Sequence, residues 1–352
     1  MANVNVTIDG VTTSVPAGST VLTAARLMNI NIPTLCDHPA LKPIGACRMC
    51  LVEIEKQRVL QPACTFPVSE GMVVHTATPA TTSARRFVLD LLLSDHPFDC
   101  MTCEKAGDCT LQDMAYEYGI KKAHYEGVRH NYPVRDDNPF YVRDYDKCIL
   151  CRRCVRACDE INGVAAIGLI ERGFDTRIGA AFDGTMPESP CEFCGMCVEL
   201  CPVGALSPKS IIGAGRTWDT TATKTICPYC GVGCSLELHV KDNKILYVKS
   251  DWNGPANKGW TCVKGRFGWD YVSSPDRLTK PLIRKDGIMV ESSWDEALDL
   301  VADRFAQIAQ ESGPDALAFL SSAKCTNEEN YLVQKLARGV IGTNNVDHCA
   351  RL

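Results

Sequence analysis

Polar and apolar positions alternate at the start of the chain. Val4, Val6 and Ile8 are separated by polar residues, and after Asp9-Gly10 the pattern resumes at Val11, Thr13 and Val15. Period-two alternation on both sides of an Asp-Gly dipeptide predicts a β-hairpin. A short helix is expected from Val21 to Met28, and four cysteines follow in Pro- and Gly-rich sequence, so a small sheet should carry them on loops. Apolar spacing at Phe87 and Leu91 predicts a helix that ends at Asp95-His96-Pro97, and the polar, aromatic stretch Tyr116 to Asp137 reads as an irregular connection. A Gly/Thr-rich linker is expected at Ile212 to Thr225. Beyond it, Leu236, Leu238 and Val240, then Asp242-Asn243, then Ile245 and Tyr247 repeat the hairpin pattern. Ser293 and Glu296 form an expected capping box ahead of Trp294, Leu298, Val301, Phe305 and Ile308, which share one helical face. Ala316 to Leu320 reads as a buried strand and Asn327 to Ile341 as the helix after it, the beginning of an α/β layer.

A chain of 352 residues is too long for one small domain and ordinarily makes two or three. With 45% hydrophobic and 22% charged residues, disorder, collagen and coiled coil are excluded as the dominant state. A net charge of -5 argues against nucleic acid or an anionic membrane as the main partner. No apolar run approaches the roughly 18 residues of a membrane helix, and the first residues lack the basic and apolar regions of a signal peptide. Arg85-Arg86 and Arg152-Arg153 lie too deep for a twin-arginine signal. The expectation is therefore a cytoplasmic protein, and in a reducing compartment its 21 cysteines point to metal or redox chemistry rather than disulfides.

The cysteines fall into groups. Cys148-x2-Cys151-x2-Cys154-x3-Cys158 recurs 43 residues later as Cys191-x2-Cys194-x2-Cys197-x3-Cys201. Three cysteines two residues apart wrap three corners of an iron-sulfur cube, while the fourth reaches the neighbouring cube. That pattern assigns Cys148, Cys151, Cys154 and Cys201 to one 4Fe-4S cluster, and Cys191, Cys194, Cys197 and Cys158 to another. Structural zinc usually takes two separated C-x2-C pairs instead. The second copy has Cys201-Pro202 and the first Cys158-Asp159, a difference that bears on the loop exit and not on ligation. Three further groups are Cys36-x10-Cys47-x2-Cys50-x13-Cys64, His96-x3-Cys100-x2-Cys103-x5-Cys109 and Cys227-x2-Cys230-x3-Cys234-x27-Cys262. Zinc-ribbon binding is the competing reading of the last. Nineteen cysteines are thereby placed, and Cys325 and Cys349 read as small core residues.

The first of these three groups, on a hairpin-and-helix sheet, resembles the 2Fe-2S domain of the electron-input subunits of hydrogenases, NADH:quinone oxidoreductases and formate dehydrogenases. In the same families the His96 group is similar to a 4Fe-4S site with one His ligand. The last group resembles the 4Fe-4S motif that opens molybdenum or tungsten bis-pterin oxidoreductases, and Lys264 in Cys-Val-Lys-Gly-Arg-Phe-Gly stands where that resemblance implies a lysine between cluster and pterin. The implied architecture is multidomain α+β: a β-grasp 2Fe-2S domain over 1–78, a His/Cys3 cluster domain over 79–137, a two-cluster ferredoxin-like domain over 138–211, and over 219–352 the start of the bis-pterin oxidoreductase α/β fold.

Five clusters in one chain form a wire of one-electron carriers that serves a two-electron reaction. Their order, with Trp294-Asp295-Glu296-Ala297-Leu298 and Gly342-Thr343-Asn344-Asn345-Val346-Asp347, resembles the alpha subunit of cytoplasmic, NAD(P)-linked or electron-bifurcating formate dehydrogenases. That resemblance implies formate and carbon dioxide as substrates, a molybdenum or tungsten bis-pterin guanine dinucleotide in the full-length subunit, and partners that are flavin/NAD(P)H-binding diaphorase-type, ferredoxin or hydrogenase subunits. The family's metal-ligating Cys or selenocysteine is expected just after Asp347-His348-Cys349-Ala350-Arg351-Leu352, so no catalytic residue lies in the sequence itself. A selenocysteine codon read as a stop, or a break at a non-standard residue, is the expected reason. The competing reading is electron transfer in the large iron-sulfur subunit of an NADH:quinone oxidoreductase or iron-only hydrogenase.

Overall fold

The computed structural model describes residues 2–348; Cys349 lies outside the described residues. The chain divides into two compact units. One comprises residues 1–222 together with His239–Tyr247, and the other Thr223–Leu238 with the residues from Val248 onward.

The first unit opens on the expected hairpin, β1 (Asn3–Ile8) and β2 (Val11–Pro16), in antiparallel register from Ile8↔Val11 to Asn3↔Pro16. Asp9 (φ 48°) and Gly10 (φ 84°) supply the two positive-φ positions that a two-residue turn of this twist requires. Helix α1 (Val21–Leu27) follows, capped by the Thr20 hydroxyl on the Thr23 amide at 3.2 Å. Three more strands, β3 (Leu51–Ile54), β4 (Gln61–Pro62) and β5 (Met72–His75), complete a sheet of order β2-β1-β5-β3-β4. The pairing of β1 with β5 is parallel, at Val6↔Met72 and Ile8↔Val74. A hairpin, a crossing helix and a returning parallel strand make a β-grasp sheet. Its inward alternate residues Val6, Ile8, Val15, Val52 and Val74 pack on Val21 and Leu22 of α1.

Helix α2 (Pro79–Asp95) starts with Pro at its first position and a Thr78/Thr81 capping box. It ends where His96 precedes Pro97 and is driven to an extended backbone (ψ 133°). A second helix, α3 (Thr110–Glu117), is not among the expected elements, and its last two residues overlap the start of the stretch read as irregular. The connection after it is irregular, and two carboxylates of α2 hold it. Asp90 accepts from the backbone amide and Nδ1 of His124, and Asp95 accepts from the same two atoms of His130.

The ferredoxin-like part is closed by strand Tyr141–Arg143 paired antiparallel with Leu206–Pro208, and it carries a small hairpin, Gly168–Ile170 with Arg177–Gly179. The linker expectation at 212–225 needs correction. Thr217–Asp219 is a tight helical turn and Thr221–Ile226 is a strand, in a sheet with Ser235–Lys241 and Lys244–Ser250. Its threonines are β-formers, and the Gly/Thr-rich composition concealed them.

In the second unit, Leu282–Lys285 and Ile288–Glu291 form a hairpin, and a helix runs over Trp294–Ser312. Ser293 caps that helix at the Glu296 amide, 3.1 Å, but the reciprocal half of the expected box is not made. The Glu296 carboxylate accepts from Lys285 Nζ at 2.7 Å instead. The strand expected at Ala316 to Leu320 is displaced: Pro314–Ala316 is a helical turn and the strand is Phe319–Ser321, parallel to Val346–His348. Leu317 is buried and Leu320 is exposed. The helix Asn327–Lys335 between these strands continues as a wider π turn over Leu336–Ile341. No helix among the described residues is long and apolar enough to cross a membrane.

Candidate redox-cluster sites

None of the twenty described cysteines is in a disulfide. In the β-grasp part, Cys36, Cys50 and Cys64 are buried, and a chain of contacts links all four residues of the first group. The Cys36 amide donates to Cys47 Sγ (3.4 Å), and the Cys47 amide to Cys36 Sγ (3.5 Å). Hydrogen bonds from Cys47 and Cys64 hold the Cys36 thiol well below its usual range, and one from Cys64 lowers Cys50. Cys47 and Cys64, as donors, are pushed up. Arg48 (φ 60°) gives the loop its left-handed step between Cys47 and Cys50. Arg85, buried on α2, donates twice to the Leu51 carbonyl and anchors the loop exit.

His96, at the end of α2, shares a cavity with Cys100 and Cys109. Its Nδ1 is buried without a hydrogen-bond partner. Burial pulls its pKa down, keeping the imidazole neutral and able to offer a lone pair. Burial also pushes the Cys109 thiol up to about 11 and raises Cys103. Gly204 closes the group from behind: a Cβ there would stand 2.6 Å from Cys103 Sγ.

The repeated motif folds the same way twice. Leu150 and Arg152 in the first copy, and Phe193 and Gly195 in the second, occupy equivalent positions, and all four have positive φ (52°, 58°, 53°, 73°). These left-handed steps turn the three cysteines of each copy inward. Each run then enters a short helix, Arg153–Arg156 or Met196–Leu200. Cys158 lies within a π turn, Ala157–Ile161, whereas Cys201 follows the end of its helix and precedes Pro202, so the two copies differ at the loop exit. Cys148, Cys151, Cys154 and Cys201 line one cavity with Tyr141, Ile167 and Met186; Cys158, Cys191 and Cys194 line a second, and Cys197 borders both. Burial raises Cys151 to about 11 and Cys148 to about 12, and drives Cys154 and Cys197 higher. Asn162 Nδ2 donates to Cys194 Sγ (2.7 Å), the Ala166 amide to Cys158 Sγ (3.2 Å) and the Phe193 amide to Cys191 Sγ (3.3 Å).

In the second unit, Cys227 and Cys234 are bracketed by a Cys227 N–H···O=C Cys234 bond of 2.8 Å. Cys227 is buried, while Cys230 and Cys262 are exposed. All four interact electrostatically, and burial leads the rise in the Cys227 and Cys234 thiols. Cys262 is the N-cap of helix Val263–Phe267, on which Lys264 is exposed and Gly265 brings the backbone close to Cys227 Sγ (3.5 Å from an added Cβ). Cys325 is exposed, not the core residue expected. Its neighbour Thr326 caps the next helix through a bond to the Glu329 amide, which leaves Cys325 in the loop.

Among the described residues no three His, Cys, Asp or Glu groups close around a single metal ion. The donor sets nevertheless fit polynuclear clusters: an orphaned buried imidazole nitrogen, a glycine cradle, thiol-lined apolar cavities and amide donors aimed at sulfur.

Comparison with known proteins gives the same order of parts. Residues 1–79 match a 2Fe-2S iron-sulfur cluster binding domain, 85–124 the NADH-ubiquinone oxidoreductase-G iron-sulfur binding region, and 138–207 the ferredoxin-like domain of NADH-quinone oxidoreductase subunit 3. Residues 220–274 match a molybdopterin oxidoreductase Fe4S4 domain, and 277–352 a molybdopterin oxidoreductase domain. The chain is 43% identical over 350 residues to the G 2 subunit of the NADH-quinone oxidoreductase of Rhizobium meliloti, covering 99% of this chain and 40% of that protein. It is 40% identical to the NADPH-Fe(3+) oxidoreductase subunit alpha of Geobacter sulfurreducens, over 99% and 40%. A Staphylococcus aureus protein named for formate dehydrogenase is 37% identical, over 98% and 39%. A crystal structure of an NAD+-reducing [NiFe]-hydrogenase superposes with a TM-score of 0.56 at 32% identity, covering 59% of this chain and 88% of that one. The chain spans about two fifths of the length of the curated relatives it matches.

Proposed function

Because the chain belongs to the iron-sulfur, molybdopterin-domain oxidoreductase subunits related to formate dehydrogenases, NADH-quinone oxidoreductase G-type chains and [NiFe]-hydrogenases, we propose that it is the electron relay of a nicotinamide-linked complex, in the manner of those G-type chains. That it is an iron-sulfur relay portion of a larger oxidoreductase follows from the five domain matches in order. What supports the finer reading is 43% identity to an NADH-quinone oxidoreductase chain over 99% of this chain, together with the NADH-quinone oxidoreductase domain matches over 85–124 and 138–207.

In this reading Cys36, Cys47, Cys50 and Cys64 hold a 2Fe-2S cluster, and the other four groups each hold a 4Fe-4S cluster: His96 with Cys100, Cys103 and Cys109; Cys148, Cys151, Cys154 with Cys201; Cys158 with Cys191, Cys194, Cys197; and Cys227, Cys230, Cys234 with Cys262. Bound clusters supply one-electron carriers whose potentials follow charge, hydrogen bonding and exposure. The chain's own residues set those variables. Burial raises the thiols of Cys103, Cys109, Cys148, Cys151, Cys154, Cys191 and Cys197, so binding there must displace their protons and weakens as pH falls. The Asn162, Ala166 and Phe193 donors stabilise negative charge on Cys194, Cys158 and Cys191. Flavin- and NAD(P)H-binding subunits are the proposed partners, with ferredoxin or hydrogenase subunits as further candidates.

Formate oxidation is the second reading, favoured by the Staphylococcus relative and by Lys264 beside Cys262. It adds a molybdenum or tungsten pterin next to the last cluster. The test uses the native complex, purified anaerobically and exposed separately to NADH, NADPH and formate, with the reduced clusters read by electron paramagnetic resonance. Reduction by NADH or NADPH alone supports the first reading. Reduction by formate with release of carbon dioxide establishes the second, and a complex reduced only by dithionite overturns both.

A further inference from the structure

The segment between Cys154 and Cys158 reaches back to the loop of the N-terminal group. Arg156, 6% exposed, donates through Nη2 to the Cys36 carbonyl and through Nη1 to the Lys42 carbonyl, and its Nε bonds the Arg152 carbonyl at 3.3 Å. One turn later, Glu160 accepts from the Lys42 amide at 2.9 Å. Residues 36–42 are thus held at three points by the chain that carries Cys154 and Cys158. Arg153 lies on the same turn as Arg156. Its Nε is buried and makes no hydrogen bond; burial pulls its pKa down, and the charges of Cys151 and Cys201, then of Cys36 and Cys47, oppose that.

We propose that Arg156 and Glu160 fix the N-terminal cluster site against the first ferredoxin-type site as an electron-transfer pair, and that Arg153 is a resident cation serving both. This rests on the relay reading above. One electron lost at the first site is gained at the second, with no proton or other reactant involved. A guanidinium stays charged at any working pH, and out of water its field is weakly screened, so Arg153 favours the reduced, more negative form at both sites. The two arginines therefore have separable roles: geometry for Arg156 and potential for Arg153. Both are positioning residues and need touch no substrate.

The experiment uses the full-length subunit in its native complex with the variants Arg153→Gln, Arg156→Lys and Glu160→Gln. Iron content, redox titration and the magnetic splitting between the two reduced sites are measured. Arg153→Gln is expected to shift the oxidised-to-reduced ratio at both sites about tenfold towards oxidised, a change of 59 mV for one electron. Arg156→Lys keeps the charge but loses the fork to two carbonyls, so the splitting should weaken while the potentials hold. If Arg156→Lys loses iron, Glu160→Gln reads the same clamp more gently through the Lys42 contact. Wild-type potentials and splitting in iron-replete variants would overturn the inference. Wild-type protein lacking iron at either site would instead overturn the relay reading.

Discussion

Gly204 is the position where one methyl group should cost most. Its neighbours leave no room: a Cβ would stand 2.6 Å from Cys103 Sγ and 3.4 Å from both Lys105 Cβ and Lys147 Cδ. Ordinary carbon contacts begin near 3.5 Å, so the sulfur must retreat by about 1 Å. Lys147 cannot easily yield, because its ammonium is held by Asp99 at 3.1 Å and Asp144 at 3.0 Å. The backbone at Gly204 has no positive φ, so Gly204→Ala carries a packing penalty of about 1–3 kcal/mol and no conformational one. Gly127→Ala is the control, with nothing within 4 Å and no positive φ, and should move stability by about 0.5 kcal/mol or less. Urea unfolding of the full-length subunit reads the first effect, and the spectroscopic signal of the His96 group reads the second, since a displaced Cys103 should release that cluster. A Gly204→Ala protein with the wild-type midpoint and an intact His96-group signal would refute the reasoning.

Three more outcomes are expected. Gly195→Ala should destabilise by about 1 kcal/mol, because φ is 73° there; Arg152→Gly at the matching position of the first copy should not destabilise, and thermal melts in which the two changes behave alike would contradict this. Asp137→Asn removes the negative charge paired with buried Arg143, which also donates to Tyr145 Oη, and weakens the acceptor of the Met186 amide, so the urea midpoint should fall by the equivalent of about 3 kcal/mol. Burial would raise the Asp183 carboxyl, but the hydrogen bonds and charges of Arg177 and Arg135 outweigh it and hold the group below its ordinary value of 3.8. A depressed folded pKa means that this stabilisation is complete well above pH 3.8 and disappears as pH falls through the lower folded value. Asp183→Asn should therefore flatten that acid limb, and an unchanged limb in acid titration followed by circular dichroism would rule the pairing out as its source.

What could be read from the sequence was what depends on near neighbours. The hairpin at Asp9-Gly10 and the stop at His96-Pro97 are local chemistry, and both stand in the structure. The Cys-x2-Cys spacing is local too, and in both copies the same left-handed backbone steps fall between the cysteines. Contacts made across the fold were invisible. Helix α3 had no pattern that announced it, although Leu111 and Met114 are buried in the core around α2. Glu296 had the right spacing for a box, but Lys285, on a neighbouring hairpin, claims its carboxylate. Arg153, Arg156 and Glu160 had no motif to announce them, since they act on residues more than a hundred positions away.

The same distinction explains why a relay is easier to recognise than the reaction it serves. A cluster site is built from a few ligands within one or two loops, so its identity survives in spacing. The repeat makes this concrete, because Leu150 and Phe193, or Arg152 and Gly195, differ in chemistry yet share one backbone conformation. A substrate site is made by side chains that converge from distant segments, and relatives named for quinone, iron(III) and formate chemistry match this chain with 43%, 40% and 37% identity. One relay can therefore serve several two-electron reactions. What distinguishes them at the level of these residues is potential, set by burial, by amide donors such as Asn162 and by fixed charges such as Arg153. If that is so, Asn162→Leu, which removes the 2.7 Å donor to Cys194, should lower the potential of that site alone and leave the Cys148 site unmoved. Equal shifts at both sites in a redox titration would mean that the substitution acts through the fold and not through the lost hydrogen bond.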